Sequence, residues 1–322
     1  GDGAPRGARP GTGQRSLGVA LVIGLLAVAA AAAGYLVGHS GPTKHPVQFS
    51  NSAANGNLQL RYPAGWQLST PLPSVPGMTF TSKLGLAPTP AVGDLTAGEV
   101  VDAGGPTLVP ASFRARVTGG LPQGEPVLLG SLQGYRYSGL HVQGLDGTVT
   151  VYAVPTSTGV ATIVCRASPR DTGSFLTECG QVAATVRLVG ATAFPLGTSP
   201  AYARLLSSSL NGLRADVRAP LSQLHGASTP SAQAHAARQL ARAYSNAASN
   251  LGRASVSPQF QDVQAAILAA IRQISQGYAH AAAAAQSGDG GAYARAGQQV
   301  SGGSAALSKA LHSLAGSGYT IG

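Results

Sequence analysis

Apolar and polar positions alternate along the middle of the chain, which is the pattern of half-buried β-strands. Glycine and proline interrupt the alternation at short intervals, so the strands are short. Asp146-Gly147 predicts a tight turn between two of them. We expect strands at LQLRYP (58–63), MTFTSKLGLA (78–87), GEVVDA (98–103), EPVLLG (125–130), LQGYRYSGL (132–140), GTVTVYAVP (147–155) and GVATIVCRA (159–167).

The spacing becomes helical near the end of this region. From Asp171 to Val189 apolar residues recur at steps of four, three and four, and residues 110–117 suit a short helix. Strands followed by helices predict an α+β domain over residues 48–190, with an antiparallel sheet and flanking helices. Residues 191–198 are predicted to be a linker.

Helical patterns fill the remainder of the chain. Ser199-Pro200, Thr229-Pro230 and Ser257-Pro258 each combine an N-cap hydroxyl with proline at the first helical position, and Asp289 begins a fourth segment. Amphipathic stripes follow each start. Short connections between four such segments predict an up-down four-helix bundle over residues 199–322.

An apolar segment precedes both regions. Leu17–Val37 contains no charged residue and is about as long as a bilayer-spanning helix, ~20 residues. We predict a single-pass transmembrane helix at 17–38, a disordered basic tail at 1–16 and a linker at 39–47. Arg6, Arg9 and Arg15 lie before the segment, so the tail is expected in the cytoplasm and the folded domains outside the cell membrane.

A cleavable signal peptide is the alternative, since Ala31-Ala32-Ala33 satisfies its small-residue rule. The apolar run continues past these alanines, and the sequence starts at Gly1 without methionine. Both points favour a retained span with further sequence upstream. Gly34 and Gly38 form a small-xxx-small pair that predicts a weak homodimer contact between spans.

The two cysteines of the chain are Cys165 and Cys179. Strand alternation and helical spacing place both side chains on the sheet–helix interface, where a disulfide would close a loop of about 14 residues and contribute about 3 kcal/mol. Exported domains retain disulfides. The two cysteines form no CxxC motif, and two ligands alone do not make a zinc site. We predict a structural disulfide, with buried free thiols as the alternative.

The opening Leu58-Gln-Leu-Arg-Tyr62-Pro63-Ala-Gly-Trp66 resembles the start of PsbP-like (Mog/PsbP) domains, as do Tyr135-Arg136-Tyr137 on a strand, a hairpin ending in Val154-Pro155 and a closing helix. The resemblance covers roughly residues 47–189. It implies an antiparallel sheet between helices that serves as a binding or assembly module, and it implies no catalytic residues.

Four residues are candidates for contact with a ligand or partner: Trp66, Tyr135, Arg136 and Tyr137. Each aromatic has an alternative role in the core. Trp66 beside a proline corner suits a core plug, and Tyr135 and Tyr137, which share one strand face, suit packing under a helix.

Charge is concentrated in the helices. Residues 200–322 hold nine arginines and lysines against three aspartates, a net charge of +6 within +10 for the chain. The arginines stand singly, without interleaved aromatics, so we expect no nucleic-acid binding. A solvated helix surface and a contact for an envelope polyanion or protein both fit.

Motifs for chemistry are lacking in the sequence. Gly-x-Ser-x-Gly, His-Glu-x-x-His and phosphate-binding glycine loops do not occur, and the seven histidines never pair at i+3 or i+4. We therefore expect neither catalytic residues nor a metal or cofactor.

These patterns predict a non-enzymatic, membrane-anchored extracytoplasmic binding or scaffolding protein of a bacterial cell envelope. The alternative is the extracellular sensor half of a single-span bacterial signalling receptor, such as a receptor-type Ser/Thr protein kinase whose cytoplasmic domain lies upstream. An exported enzyme with an unrecognised site is a third hypothesis.

Overall fold

The computed structural model describes residues 47–319. The predicted tail, the predicted span at 17–38, the Gly34–Gly38 contact and most of the first linker lie outside the described residues. Between residues 47 and 319, no helix combines the length and the apolar character needed to cross a membrane.

The first region is built on antiparallel sheets, which confirms the α+β class. β1 (Asn51–Asn55), β2 (Leu58–Tyr62) and β10 (Arg187–Leu188) form a small sheet in the order β1-β2-β10. A seven-stranded sheet has the order β3-β4-β5-β9-β8-β7-β6. Its strands are β3 (Trp66–Leu68), β4 (Phe80–Pro88), β5 (Gly93–Val100), β6 (Glu125–Leu129), β7 (Leu132–Leu140), β8 (Thr148–Thr156) and β9 (Gly159–Ala167).

Most strands coincide with their predicted segments, but two details were wrong. β5 spans Gly93–Val100, so it begins five residues before the predicted strand at 98–103. Asp146-Gly147 does not form a tight turn between strands, because β7 already ends at Leu140 and Val142 pairs with Val117 in the intervening connection.

Helices and loops cover both faces of the large sheet. The short helix α1 (Ala111–Arg114) buries Phe113 with Tyr137, Val149 and Val151 on one face. On the other face α2 (Thr172–Ala183) packs into the core cluster that contains Leu86 and Ile163, among others. β8 and β9 are buried on both sides, as expected for strands in the middle of a covered sheet.

Helix α2 is shorter than predicted. It ends at Ala183, and the chain then turns so that Arg187–Leu188 pairs with β2. The hydroxyl of Thr185 accepts from the Arg61 N–H (2.8 Å) and donates to the Arg61 carbonyl (2.9 Å), which ties this segment to β2. Val186 is buried, as its place in the stripe indicated, but it lies beyond the helix.

Four long helices follow within residues 198–319, which confirms the helical C-terminal region. They are α3 (Pro200–Gly226), α4 (Pro230–Gly252), α5 (Gln261–Ser287) and α6 (Gly290–Gly316). The predicted caps form: Ser199, Thr229 and Asp289 accept from the backbone of Tyr202, Ala232 and Ala292. Ser257 also caps, since its side chain accepts from the Gln259 backbone, but Ser257-Pro258 starts a 3-10 turn, Pro258–Phe260, which leads into α5. Each helix packs against the next along the chain.

Candidate functional site

The disulfide joins the middle of the sheet to its covering helix. Cys165 lies on β9 and Cys179 on α2, with an S–S distance of 2.04 Å and a Cα–Cα distance of 6.1 Å. Both cysteines are fully buried. The predicted bridge is confirmed, and it fixes α2 to the sheet across the largest core cluster.

Trp66 lies at the start of β3, in the same core cluster as the disulfide. Its ring stacks on Phe175 of α2 at a centroid distance of 5.6 Å, and its Nε1–H donates to Glu178 Oε1 at 2.8 Å. The residue is 3 % exposed. Trp66 thus connects the sheet edge to α2, and its ring offers almost no surface to a partner.

Tyr135 and Tyr137 share one face of β7, with ring centroids 6.3 Å apart. Tyr137 is buried, its hydroxyl donates to the Thr107 carbonyl at 2.6 Å, and burial raises its pKa well above the usual range. Tyr135 is half-buried, and its hydroxyl accepts from Gln259 Nε2 at 3.4 Å. The two rings therefore pack toward protein groups, in contact with a loop and with the turn before α5.

Arg136 lies on the opposite face of β7, directly across from Tyr152 on β8. Its guanidinium donates to Glu125 on β6 at 2.5 and 3.1 Å, and this hydrogen bonding raises the pKa of the guanidinium. Both side chains are more than one third exposed. Of the four candidate residues, Arg136 offers the most accessible polar group, but it already has a carboxylate partner.

Gln259 links the sheet region to the helices. Besides contacting Tyr135, its Oε1 accepts from the Gly197 N–H at 3.2 Å. Next to it, the Pro258 carbonyl accepts from the Gly105 N–H at 2.9 Å. The described residues from Gln48 onward form one compact unit, while the division into domains at 48–190 and 199–322 stays a prediction.

The helices carry cations without acidic partners. Within residues 47–319 the ion pairs are Arg136 with Glu125 and Arg166 with Asp94, and all four residues belong to the sheet region. On α3, Arg204, Arg214 and Arg218 fall on one exposed stripe, and on α4 His235, Arg238 and Arg242 do the same. Arg238 is half-buried and the others are exposed. This charge pattern suits attraction of an anionic partner.

Sequence reasoning missed three features of these surfaces. Strand β1 is polar, and only the Asn55-Gly56-Asn57 hairpin turn, with Gly56 at φ +58°, could have indicated it. Glu178 and Gln259 carry no local signal, because their partners Trp66 and Tyr135 lie 112 and 124 residues away.

Comparison with known proteins gives no relative of this chain: no protein-family model, curated protein or solved structure matches it. The resemblance to PsbP-like domains accordingly rests on the residues quoted above, from Leu58 to Trp66 and from Tyr135 to Pro155.

Proposed function

We propose that this chain is a non-enzymatic, membrane-anchored extracytoplasmic protein that binds or scaffolds partners at the cell envelope. Its helices would contact an anionic envelope polymer, and its sheet region would hold the helices in place outside the membrane. The observation that carries the proposal is the set of helical arginines that have no carboxylate partner among residues 47–319.

Charge makes the helices suited to this role. Exposed ion pairs would neutralise the arginines locally, whereas unpaired guanidinium groups keep their charge available to phosphates or carboxylates. Arg238 and Arg242 lie one turn apart, and α4 contains no acidic residue. A polyanion bound along this face would exchange its counterions for guanidinium contacts, so binding would weaken with salt.

The disulfide supports the extracytoplasmic location, because such bonds persist in oxidising compartments and are rare in the cytosol. The predicted span at 17–38 would supply the anchor. We further propose that the sheet region is a PsbP-like module and that α3–α6 form an up-down bundle. An antiparallel sheet with α2 on one face, and four helices that pack in chain order, support these assignments.

The test compares the full chain in detergent with two double variants on a heparin column over a salt gradient. We expect retention that falls steeply with salt, and earlier elution of Arg238→Gln/Arg242→Gln. The control, Arg170→Gln/Arg187→Gln, removes the same charge from exposed sites of the sheet region. Equal elution of the two variants, or retention that is independent of salt, would count against the proposal.

A further inference from the structure

A groove of about 440 Å³ lies between the N-terminal half of α3 and the C-terminal half of α4. The lining includes five polar or charged residues and one glycine: Ser209, Asp216, Asn246, Asn250, Arg253 and Gly212. Its volume falls within the ~300–1,000 Å³ range of small-ligand sites. Leu213 and Ala247 add an apolar floor, and Leu205, 37 % exposed, lies at the rim.

Two side chains of opposite charge line the groove. Asp216 is the one acidic residue in the sequence from 200 to 253. Arg253 lines the same groove, yet the two side chains form no ion pair within the described chain. A carboxylate and a guanidinium that line one groove complement a ligand that carries both an ammonium and a carboxylate.

Side-chain amides line the same groove. Asn246 and Asn250 are one helical turn apart on α4, and both side chains are exposed along the groove, near the half-buried Ser209. An asparagine amide both donates and accepts, so it can pair with the N–H and the carbonyl of a peptide bond. The polar lining therefore suits a peptide link as well as charged ends.

Gly212 lines the groove without a side chain. A Cβ built on it meets no atom within 4 Å, although glycine in a helix interior costs about 1 kcal/mol relative to alanine. We propose that this groove binds a short zwitterionic peptide, with the ammonium at Asp216, the carboxylate at Arg253 and the peptide bond at Asn246 and Asn250. The groove does not include Arg238 or Arg242, the two arginines on which the polyanion contact is tested.

The experiment uses the full chain in detergent and titrates it with alanyl-alanine. NMR of the Asn246 and Asn250 side-chain amides reports occupancy. We expect saturable shifts of both amides. N-acetylated or C-amidated alanyl-alanine should bind at least about tenfold more weakly, because each lacks one charge-assisted contact. Arg253→Gln should abolish the preference for the free carboxylate.

The variant Gly212→Leu tests the groove alone, without altering the fold of the helices. It should abolish binding without unfolding, because leucine favours a helix and the position is open. The control is Gly297→Leu on α6, where the added side chain also starts in open space. Absence of any saturable shift in the wild type, equal binding of free and blocked dipeptides, or unchanged binding in Gly212→Leu would overturn the proposal. Heparin retention should be unaffected by Gly212→Leu.

Discussion

At the residue scale, polar partners decide how the large aromatic side chains are buried. Trp66 combines an apolar stack on Phe175 with a hydrogen bond to Glu178, so its N–H is satisfied inside the core. Tyr137 similarly donates to Thr107. A buried aromatic with a polar tip needs such a partner, since an unsatisfied donor costs about 1–3 kcal/mol.

Trp66→Phe should therefore lower the free energy of unfolding by about 1–2 kcal/mol, because the stack remains while Glu178 loses its donor. Trp66→Ala should cost about 3–5 kcal/mol. Urea unfolding followed by circular dichroism measures both. As a control, Glu178→Gln keeps an acceptor oxygen and should cost less than Glu178→Ala. A Trp66→Phe protein as stable as the wild type would show that the hydrogen bond contributes nothing.

At the element scale, glycines allow α5 and α6 to approach closely. A Cβ on Gly303 would lie 2.7 Å from Ile274 Cγ1 and 3.2 Å from the Ala270 carbonyl oxygen. A Cβ on Gly277 would lie 2.7 Å from Val300 Cγ2 and 3.0 Å from the Val300 backbone nitrogen. Backbone atoms cannot move away as a flexible side chain can, so these glycines are required by packing.

Gly303→Ala and Gly297→Ala should consequently have opposite effects. Alanine favours a helix at both positions, but only position 303 is closely packed. We expect Gly303→Ala to lower the free energy of unfolding by about 1–3 kcal/mol. Gly297→Ala should raise it by about 0.5–1 kcal/mol. Paired urea titrations compare them, and stabilisation by both substitutions would refute the close contact.

Elements were predictable where their signal is local. Alternation located β7, β8 and β9, caps located α3, α4 and α6, and the two cysteines could be paired because their elements were placed. The end of α2 was not predictable, because Thr185 and β10 are held by β2, more than a hundred residues earlier. For the candidate contact residues, strand alternation predicted that Tyr135 and Tyr137 share a face, but it did not predict the partners that cover them.

At the scale of the whole molecule, the sheet region and the helices meet through a small number of polar contacts. Gln259 contacts both Tyr135 and Gly197, and the Ser199 N–H donates to the Tyr319 hydroxyl at 2.9 Å. These bonds hold the start of α3 and the end of the described chain next to the turn before α5. They connect the proposed binding helices to the disulfide-linked sheet.

Gln259→Ala should loosen this connection selectively. The Gly197 N–H loses its acceptor, so its hydrogen exchange should become about five- to tenfold faster. The Gly105 N–H, which donates to the Pro258 main chain, should keep its protection and serves as the internal control. Unchanged exchange at Gly197 would show that the side-chain contact does not order the linker.

Stability of the whole molecule should fall at high pH. Burial raises the pKa of Tyr202 to about 12, with a further contribution from Tyr319, against about 10 in an unfolded chain. A folded-state pKa above the unfolded value gives stability that is complete below pH ~10 and is lost as the pH rises toward ~12. Urea titrations over this range should show that loss, and Tyr202→Phe should reduce its slope. An identical slope in Tyr202→Phe would contradict this assignment.

The central proposal is that the disulfide-linked region lies outside the cytoplasm. In the direct measurement, intact cells are quenched with acid, the protein is denatured in the presence of N-ethylmaleimide, and the chain is analysed by mass spectrometry. Denaturation is needed because Cys165 and Cys179 are fully buried. We expect that neither cysteine is alkylated unless reductant is added first, after which both are. Alkylation of both cysteines without reductant would contradict it.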